Sequence, residues 1–314
     1  MRKVIERDTL EIMQALLQGA LQEIAGTVNA LARRGAVAQD RSHKLARLWG
    51  FDSFLKPKLV DFALWLENSN ERTNYTYDLT ADNRNQLAGF VDAITGCGIR
   101  RSFTFFDELL QDAELRQHVE RQVDAAGARG SEEGAYLDRN SGFGRRLGWY
   151  AIIRAMRPRL VVETGVDQGL GSVIIASALL RNRAEGAPGT YLGTDINPAA
   201  GVLFKPPYDG CGRIAYGDSI ETLQRLDQPI DLFINDSDHS AQYEGREYAS
   251  VAGKLGPDAI VLGDNAHITS EVFKFSLDTR RQFLFFAERP MDHFYPGAGI
   301  GAAFHRPPAA DRTA

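Results

Sequence analysis

Between Arg159 and His305, short apolar runs alternate with helical spacers: RLVVETG, GTYLGTD, GRIAYGD, IDLFIND and AIVLGDN, then QFLFFAE and GIGAAFH. No other feature constrains the fold as strongly. Strands that alternate with helices pair in parallel through right-handed crossovers, and strands covered on both faces read as continuous apolar runs. Only a loop separates the last two runs, which predicts an antiparallel pair closing the sheet. Five runs end on or beside an acid or an asparagine. In open sheets of this kind ligands bind beyond the carboxyl ends of the strands, so the acids collect where a ligand would lie.

The first of these strands leads into RLVVETGVDQGLGSVIIASALL, Arg159 to Leu180. An acid, Glu163, is followed by Gly165, Gly169 and Gly171, with Ser172 opening an apolar helix. The spacing E-x-G-x-x-x-G-x-G is not the G-x-G-x-x-G of dinucleotide sites. Pyrophosphate binds to amides at a helix N-terminus, and a carboxylate immediately before the turn would repel it. Glu163 therefore favours a ligand carrying positive charge there, and S-adenosylmethionine has an ammonium and a sulfonium and no phosphate. Asp195, ending the second strand, is suited to accept hydrogen bonds from ribose hydroxyls. Asp218 and Ser219, ending the third, are placed to meet the adenine.

With these motifs the segment from Leu147 to His305 resembles the class I S-adenosylmethionine-dependent methyltransferases. The resemblance implies a Rossmann-like α/β fold: a seven-stranded, mostly parallel sheet with helices on both faces and a final antiparallel hairpin. Beyond the cofactor motif, INDSDHS follows the fourth strand and VLGDNAH the fifth. Asp236, Asp264 and Asn265 would emerge on neighbouring strand ends, two carboxylates and an amide oxygen of the kind that suits a hard cation such as Mg²⁺. This resembles the metal-dependent O-methyltransferases of the catechol and caffeoyl-coenzyme A type, which carry Asp and Asp-Asn at these places. Those enzymes have a lysine where this chain has His239. The D-x-D-H form is similar to macrolide-sugar and cephalosporin hydroxylase-like enzymes, and in the macrolide group the histidine at this place serves as base. The resemblance implies His239 as the general base with Asp236, and Asp238 either orienting the imidazole or binding the acceptor. His267, His293 and His305 have weaker claims, with His305 read as structural.

Before Leu147 the chain reads as mostly helical. Leu10, Met13, Leu17, Ile24, Val28 and Leu31 recur at helical spacing,. They make one face of a long helix that packs on the rest of the molecule or forms a homodimer seam, although Gly19 and Gly26 weaken a free-standing coiled coil. Asp78 or Thr80 is placed to cap a helix carrying Leu87, Phe90, Val91 and Ile94. Tyr75, Tyr77, Tyr136 and Asn140 are candidates to close over the cofactor. DAAGARGSEEGAYLDRNSGFGRR, Asp124 to Arg146, reads as a linker or loop. The expected organisation is a helical cap or oligomerisation region over 1–140, a cofactor-binding catalytic domain over 141–308 and a disordered tail over 309–314.

Composition narrows the partners. A net charge of −5 over 314 residues disfavours nucleic acid,, and Arg145 with Arg146 reads as a solvated helix start. Cys97 and Cys211 are too few for a disulfide framework or a zinc cluster. No signal peptide and no run of eighteen apolar residues is legible, so the expectation is a cytoplasmic protein with no membrane partner. The leading expectation is a metal-assisted O-methyltransferase acting on a small hydroxylated, natural-product-like molecule. The alternatives are an enzyme that attacks another carbon of the sulfonium and releases methylthioadenosine, and a non-catalytic cofactor-binding or oligomerisation protein.

Overall fold

The structure is a computed structural model, and it describes residues 49–68, 76–128 and 142–305 with a few isolated positions between 15 and 26. The helical face from Leu10 to Leu31, and with it the proposed dimer seam, lies outside the described residues, as do Tyr75, Tyr136, Asn140 and the tail. Two units divide the chain, Met1–Leu59 and Val60–Ala314. In the first, a π-helical turn spans Phe51–Leu55, and Trp49 meets Phe54 edge to face at 5.3 Å. It leads into helix α1, Lys56–Asn68.

Helices α2 (Ala81–Thr95), α3 (Ile99–Leu110), α4 (Ala113–Ala128) and α5 (Arg146–Met156) follow. Thr80 rather than Asp78 caps α2, its Oγ1 accepting from the Asn83 amide at 3.3 Å,. Leu87, Phe90, Val91 and Ile94 are buried, as their spacing requires. Burying each such side chain contributes ~1.5–3 kcal/mol. Of the stretch read as a linker, Asp124–Ala128 completes α4 and residues 129–141 lie outside the described residues.

The remaining elements alternate as β1 (Leu160–Thr164), α6 (Leu170–Ala184), β2 (Thr190–Asp195), β3 (Gly212–Tyr216), α7 (Ser219–Gln224), β4 (Ile230–Asn235), α8 (Ala241–Val251), β5 (Leu255–Asp264), α9 (Glu271–Asp278), β6 (Gln282–Ala287) and β7 (Gly299–Phe304). They build one seven-stranded sheet in the order β3-β2-β1-β4-β5-β7-β6. β1 to β5 are parallel, and β7 runs antiparallel to both β5 and β6. This is the Rossmann-like, mostly parallel arrangement that the alternating runs predict. Period-2 alternation along β1 sends Val161 into one core and Val162 into another,. The first core holds residues of α2 to α6; the second holds Leu223, Tyr248, Val251, Val272 and Phe275 from α7, α8 and α9. The helices over 81–128 therefore share apolar packing with one face of the sheet. β1 has β2 on one side and β4 on the other, so the strand order reverses there and opens a crevice at the carboxyl ends,.

Candidate functional site

The turn after β1 is shaped by three glycines at three kinds of close approach. Gly165 has φ +81°, and a Cβ there would lie 2.0 Å from the carbonyl oxygen of Asp236. Gly169, at φ +91°, is the residue before α6. A Cβ at Gly171 would lie 2.2 Å from Glu163 Oε1 and 2.9 Å from the Trp149 ring. Residues Leu170 to Leu179 of α6 are all buried, which is why the helix reads as apolar all round.

Glu163 is buried, and its Oε2 accepts from Ser172 Oγ at 2.9 Å and from the Tyr191 hydroxyl. Tyr191 and Ser172 also share a hydrogen bond of 2.7 Å. Burial pushes the carboxyl from 4.5 up to about 7, with the Tyr191 and Ser172 bonds acting in the opposite direction,. Between those two pH values the folded chain keeps a proton that the unfolded chain has released. Stability is therefore expected to fall as pH rises from 4.5 to about 7, by about 3 kcal/mol for this group, and to level off above. Chemical denaturation of wild type and Glu163→Gln across that range checks this; the difference between their stability curves should carry the slope, and parallel curves would refute it.

The acids ending β2 and β3 have structural duties of their own. Asp195 Oδ2 accepts from the amides of Val166 and Asp167 at 3.0 and 2.8 Å, and Oδ1 from the Asn197 amide at 2.8 Å. It thus ties the glycine turn to the loop after β2, leaving about one of a carboxylate's four acceptor positions for a ligand. Asp218 caps α7 by accepting from the Ile220 amide at 2.8 Å, and it also accepts from the Tyr243 hydroxyl at 3.2 Å. Ser219 donates to the buried Glu247, which also takes Asn235 Nδ2 and, at 2.6 Å, Ser237 Oγ. Asp195, Asp218 and Ser219 all line one cavity of about 450 Å³, together with Ile196, Asn197 and Tyr243.

A second cavity, of about 290 Å³, is lined by Glu163, Gly165, Gly169 and Gly171 on one side and by Asp236, His239, Asn265, Ile268 and Tyr295 on the other. Gly165, Asp167 and Asp236 line both cavities, so the two are neighbouring compartments of one crevice. The His239 ring stands between two sets of polar groups. Its Nε2 is 2.9 Å from Asn265 Nδ2 and 3.8 Å from Asp236 Oδ1. Its Nδ1 is buried and faces Glu244 Oε1 at 3.4 Å, close enough to attract a protonated ring but not aligned as a hydrogen bond. Asp238 does not orient this ring: its Oδ1 accepts from the Ser240 amide and it lines the first cavity. Glu244, in the first turn of α8, takes that place. Its other oxygen accepts from Thr269 Oγ1.

Asp236, His239 and Asp264 bring one potential ligand atom each within 4.8 Å of one another. The convergence is the one expected for a cation site, but the carboxylate of β5 is already engaged. Asp264 is 1% exposed, and both its oxygens accept from Arg145, one from Nε and one from Nη2. Arg145 Nη1 reaches Glu288 Oε2 at 3.3 Å, and the Arg145 amide donates to Glu288 Oε1 at 2.8 Å. Burial disfavours the charged guanidinium, but the Asp264 and Glu288 charges outweigh it and hold Arg145 protonated. Burial likewise raises Asp264, yet Arg145 holds it below the ordinary carboxylate range. Burial and the Asp264 charge push Asp236 well up from the ordinary carboxylate range. A divalent ion held by these three groups would have to share an Asp264 oxygen with the guanidinium, because Arg145 takes one acceptor position on each,.

Several expectations need correction here. Arg145 opens a helix but is only 3% exposed, so the Arg145–Arg146 doublet is not solvated; Arg146 lines the second cavity. Tyr77 is buried with its hydroxyl on Glu288 Oε2 at 2.8 Å, inside the Arg145 cluster rather than over the crevice. His293 is buried among aromatic rings, stacked on Phe294 at 5.2 Å, while His267 and His305 are exposed. Arg145, Glu244 and Glu288 escaped the sequence reading because each lies far in sequence from the group it meets or on a helix face with no motif. The one available signal was an arginine pair immediately before an apolar helix.

Residues 162–266 match a family described as a methyltransferase domain. An O-methyltransferase from Bacillus cereus in complex with SAH is similar at 12% identity and TM-score 0.48, covering 64% of this chain and 96% of its own. The O-methyltransferase TomG from Streptomyces achromogenes, involved in tomaymycin synthesis and solved with SAM, is similar at 16% identity and TM-score 0.46, covering 65% and 95%. No curated protein sequence matches the chain. The strand order is the Rossmann-like one, and the segment 162–266 within it is similar to methyltransferase domains. Among the described residues no helix is long and apolar enough to cross a membrane.

Proposed function

We propose that the chain transfers the sulfonium methyl of S-adenosylmethionine to a hydroxyl of a small, natural-product-like molecule, with His239 as the general base. The observation that carries this is the placement of the His239 ring in the second cavity, backed by Glu244 and opposite the glycine turn. On this reading the adenosine half of the cofactor lies in the cavity of Asp195, Asp218 and Ser219. Its amino-acid half lies against Glu163, Gly165, Gly169 and Gly171, with Asp236 between the two, and the buried Ser172 holds Glu163 from behind rather than lining the cavity. Glu163 has the charge to meet the ammonium. Binding that cation would favour its ionised form, so cofactor affinity rises with pH towards about 7,.

Methyl transfer from sulfur is an in-line displacement, and it needs the acceptor oxygen held close to the methyl group. An acceptor hydroxyl beside His239 Nε2 gives its proton to the ring as the oxygen attacks. The imidazolium so formed carries Nδ1–H towards Glu244, which stabilises the charge. The tautomer with the proton on Nδ1 leaves the Nε2 lone pair for the acceptor, and Asn265 Nδ2 occupies that lone pair until the acceptor arrives,. Cavities of this size suit small ligands, and the −5 net charge argues for an acceptor other than nucleic acid,.

Mass spectrometry of the spent cofactor, with a panel of hydroxylated small molecules as acceptors, tests the reading. Formation of S-adenosylhomocysteine with a methylated acceptor is expected. Methylthioadenosine would mean attack at a different carbon of the sulfonium, and absence of cofactor binding by calorimetry would mean no enzyme of this kind.

A further inference from the structure

We propose that Arg145 is the resident cation of this crevice: by holding both oxygens of Asp264 it excludes a divalent metal, and the enzyme works without one. The inference rests on the crevice being the methyl-transfer site of the preceding reading. Its physical basis lies in the buried cluster. A guanidinium presents a planar fork that matches a carboxylate bidentately, so the Arg145–Asp264 pair uses Asp264 as a unit rather than one oxygen at a time,. The third nitrogen is also engaged, by Glu288, which is itself held by Tyr77 at 2.8 Å and by the Ala298 amide at 3.2 Å. Glu288 is thus fixed from a second direction, and the guanidinium cannot swing aside without leaving two buried carboxylates without their counter-charge,.

A dication ligated by Asp236, His239 and Asp264 would need to share an Asp264 oxygen with the guanidinium. Two like charges would then sit side by side where little water screens them. The neighbouring groups agree with a site that already has its positive charge. Asp236 and Asp264 bring carboxylate oxygens within 4.8 Å of each other, and His239 turns Nε2 towards Asn265. Arg145 lines the same cavity as Asp236 and His239, so its field reaches the place where the acceptor oxygen would become negative,. Arg145 is accordingly a positioning residue: it fixes Asp264 and contributes a permanent charge without needing to touch the reacting atoms.

Titration of the full-length chain with Mn²⁺, followed by electron paramagnetic resonance, tests this without reference to turnover. Wild type is expected to leave the free-ion signal undiminished, and Arg145→Gln, folded by circular dichroism, is expected to gain one site that Asp264→Asn in the same background removes. Stoichiometric Mn²⁺ binding by wild type that is lost in Asp264→Asn overturns the proposal, as does a folded Arg145→Gln chain that gains no site. Should Arg145→Gln fail to fold, the wild-type and Asp264→Asn titrations decide alone. Turnover in the presence of a chelator is expected to be unchanged. A chain that binds no Mn²⁺ and forms no S-adenosylhomocysteine would support the exclusion while overturning the methyl-transfer reading, so the two fail separately.

Discussion

Replacing His239 with alanine is expected to lower kcat by about 10²- to 10⁴-fold, the usual contribution of a positioned general base, with little change in cofactor affinity. His239 lines the second cavity but not the one that holds Asp195, Asp218 and Ser219. The cofactor's adenosine half would therefore be undisturbed by the truncation. Glu244→Gln should give an intermediate loss, since the glutamine still reaches the ring but carries no charge to stabilise the imidazolium. Steady-state kinetics with calorimetric cofactor titration separates these effects. An alanine variant with wild-type kcat would remove His239 from the mechanism and leave the acceptor to ionise without a side-chain base.

Gly165→Ala is expected to lose cofactor binding and to destabilise the fold. Two independent costs coincide there. The residue sits at φ +81°, which an L-residue adopts at a cost of about 1–2 kcal/mol. Its Cβ would also lie 2.0 Å from the Asp236 carbonyl oxygen, a backbone atom that cannot rotate away. Relief requires the β1 and β4 carboxyl ends to part, and those ends frame both cavities. For a unit of this size each kcal/mol lost lowers Tm by roughly 2–4 °C, so a drop well above that of a surface glycine is the expected reading in a thermal melt. Gly186→Ala is the useful control: it shares a positive φ, at +85°, but its Cβ would meet nothing within 4 Å. Equal melting points for the two variants would show that the contact with β4 is not tight.

The strands and the glycine turn were legible because each rests on a local signal, whereas the strand order came only with the resemblance. Apolar runs ending on acids mark strand ends, and glycine at Gly165 and Gly169 marks a backbone that other residues cannot follow. His239 and Asp264 were legible as candidates for a related reason: Asp264 ends β5 and His239 lies in the loop after β4. What they bind to was not. Arg145 reaches Asp264 across 119 positions of sequence and Tyr77 reaches Glu288 across 211. Pairings at such distances depend on how α5 lies against the sheet, which periodicity does not encode. The duty of Asp195 was half-visible. Its place at the end of β2 suggested a ligand contact, whereas its hydrogen bonds to Val166 and Asp167 show that the carboxylate first holds the turn in shape. Residues that cap or brace the backbone look identical in sequence to residues that wait for a ligand.

The matched methyltransferase domain ends at residue 266 and begins at 162, yet Thr76, Arg145, Arg146 and Tyr295 also line the cavity on the His239 side. The cofactor motifs sit inside the shared domain, and part of the wall an acceptor would meet is contributed by chain on either side of it. On the proposed reading, cofactor binding and acceptor choice would thus fall on different stretches of the polypeptide, and exchanging only the flanking segments would be the way to change the acceptor.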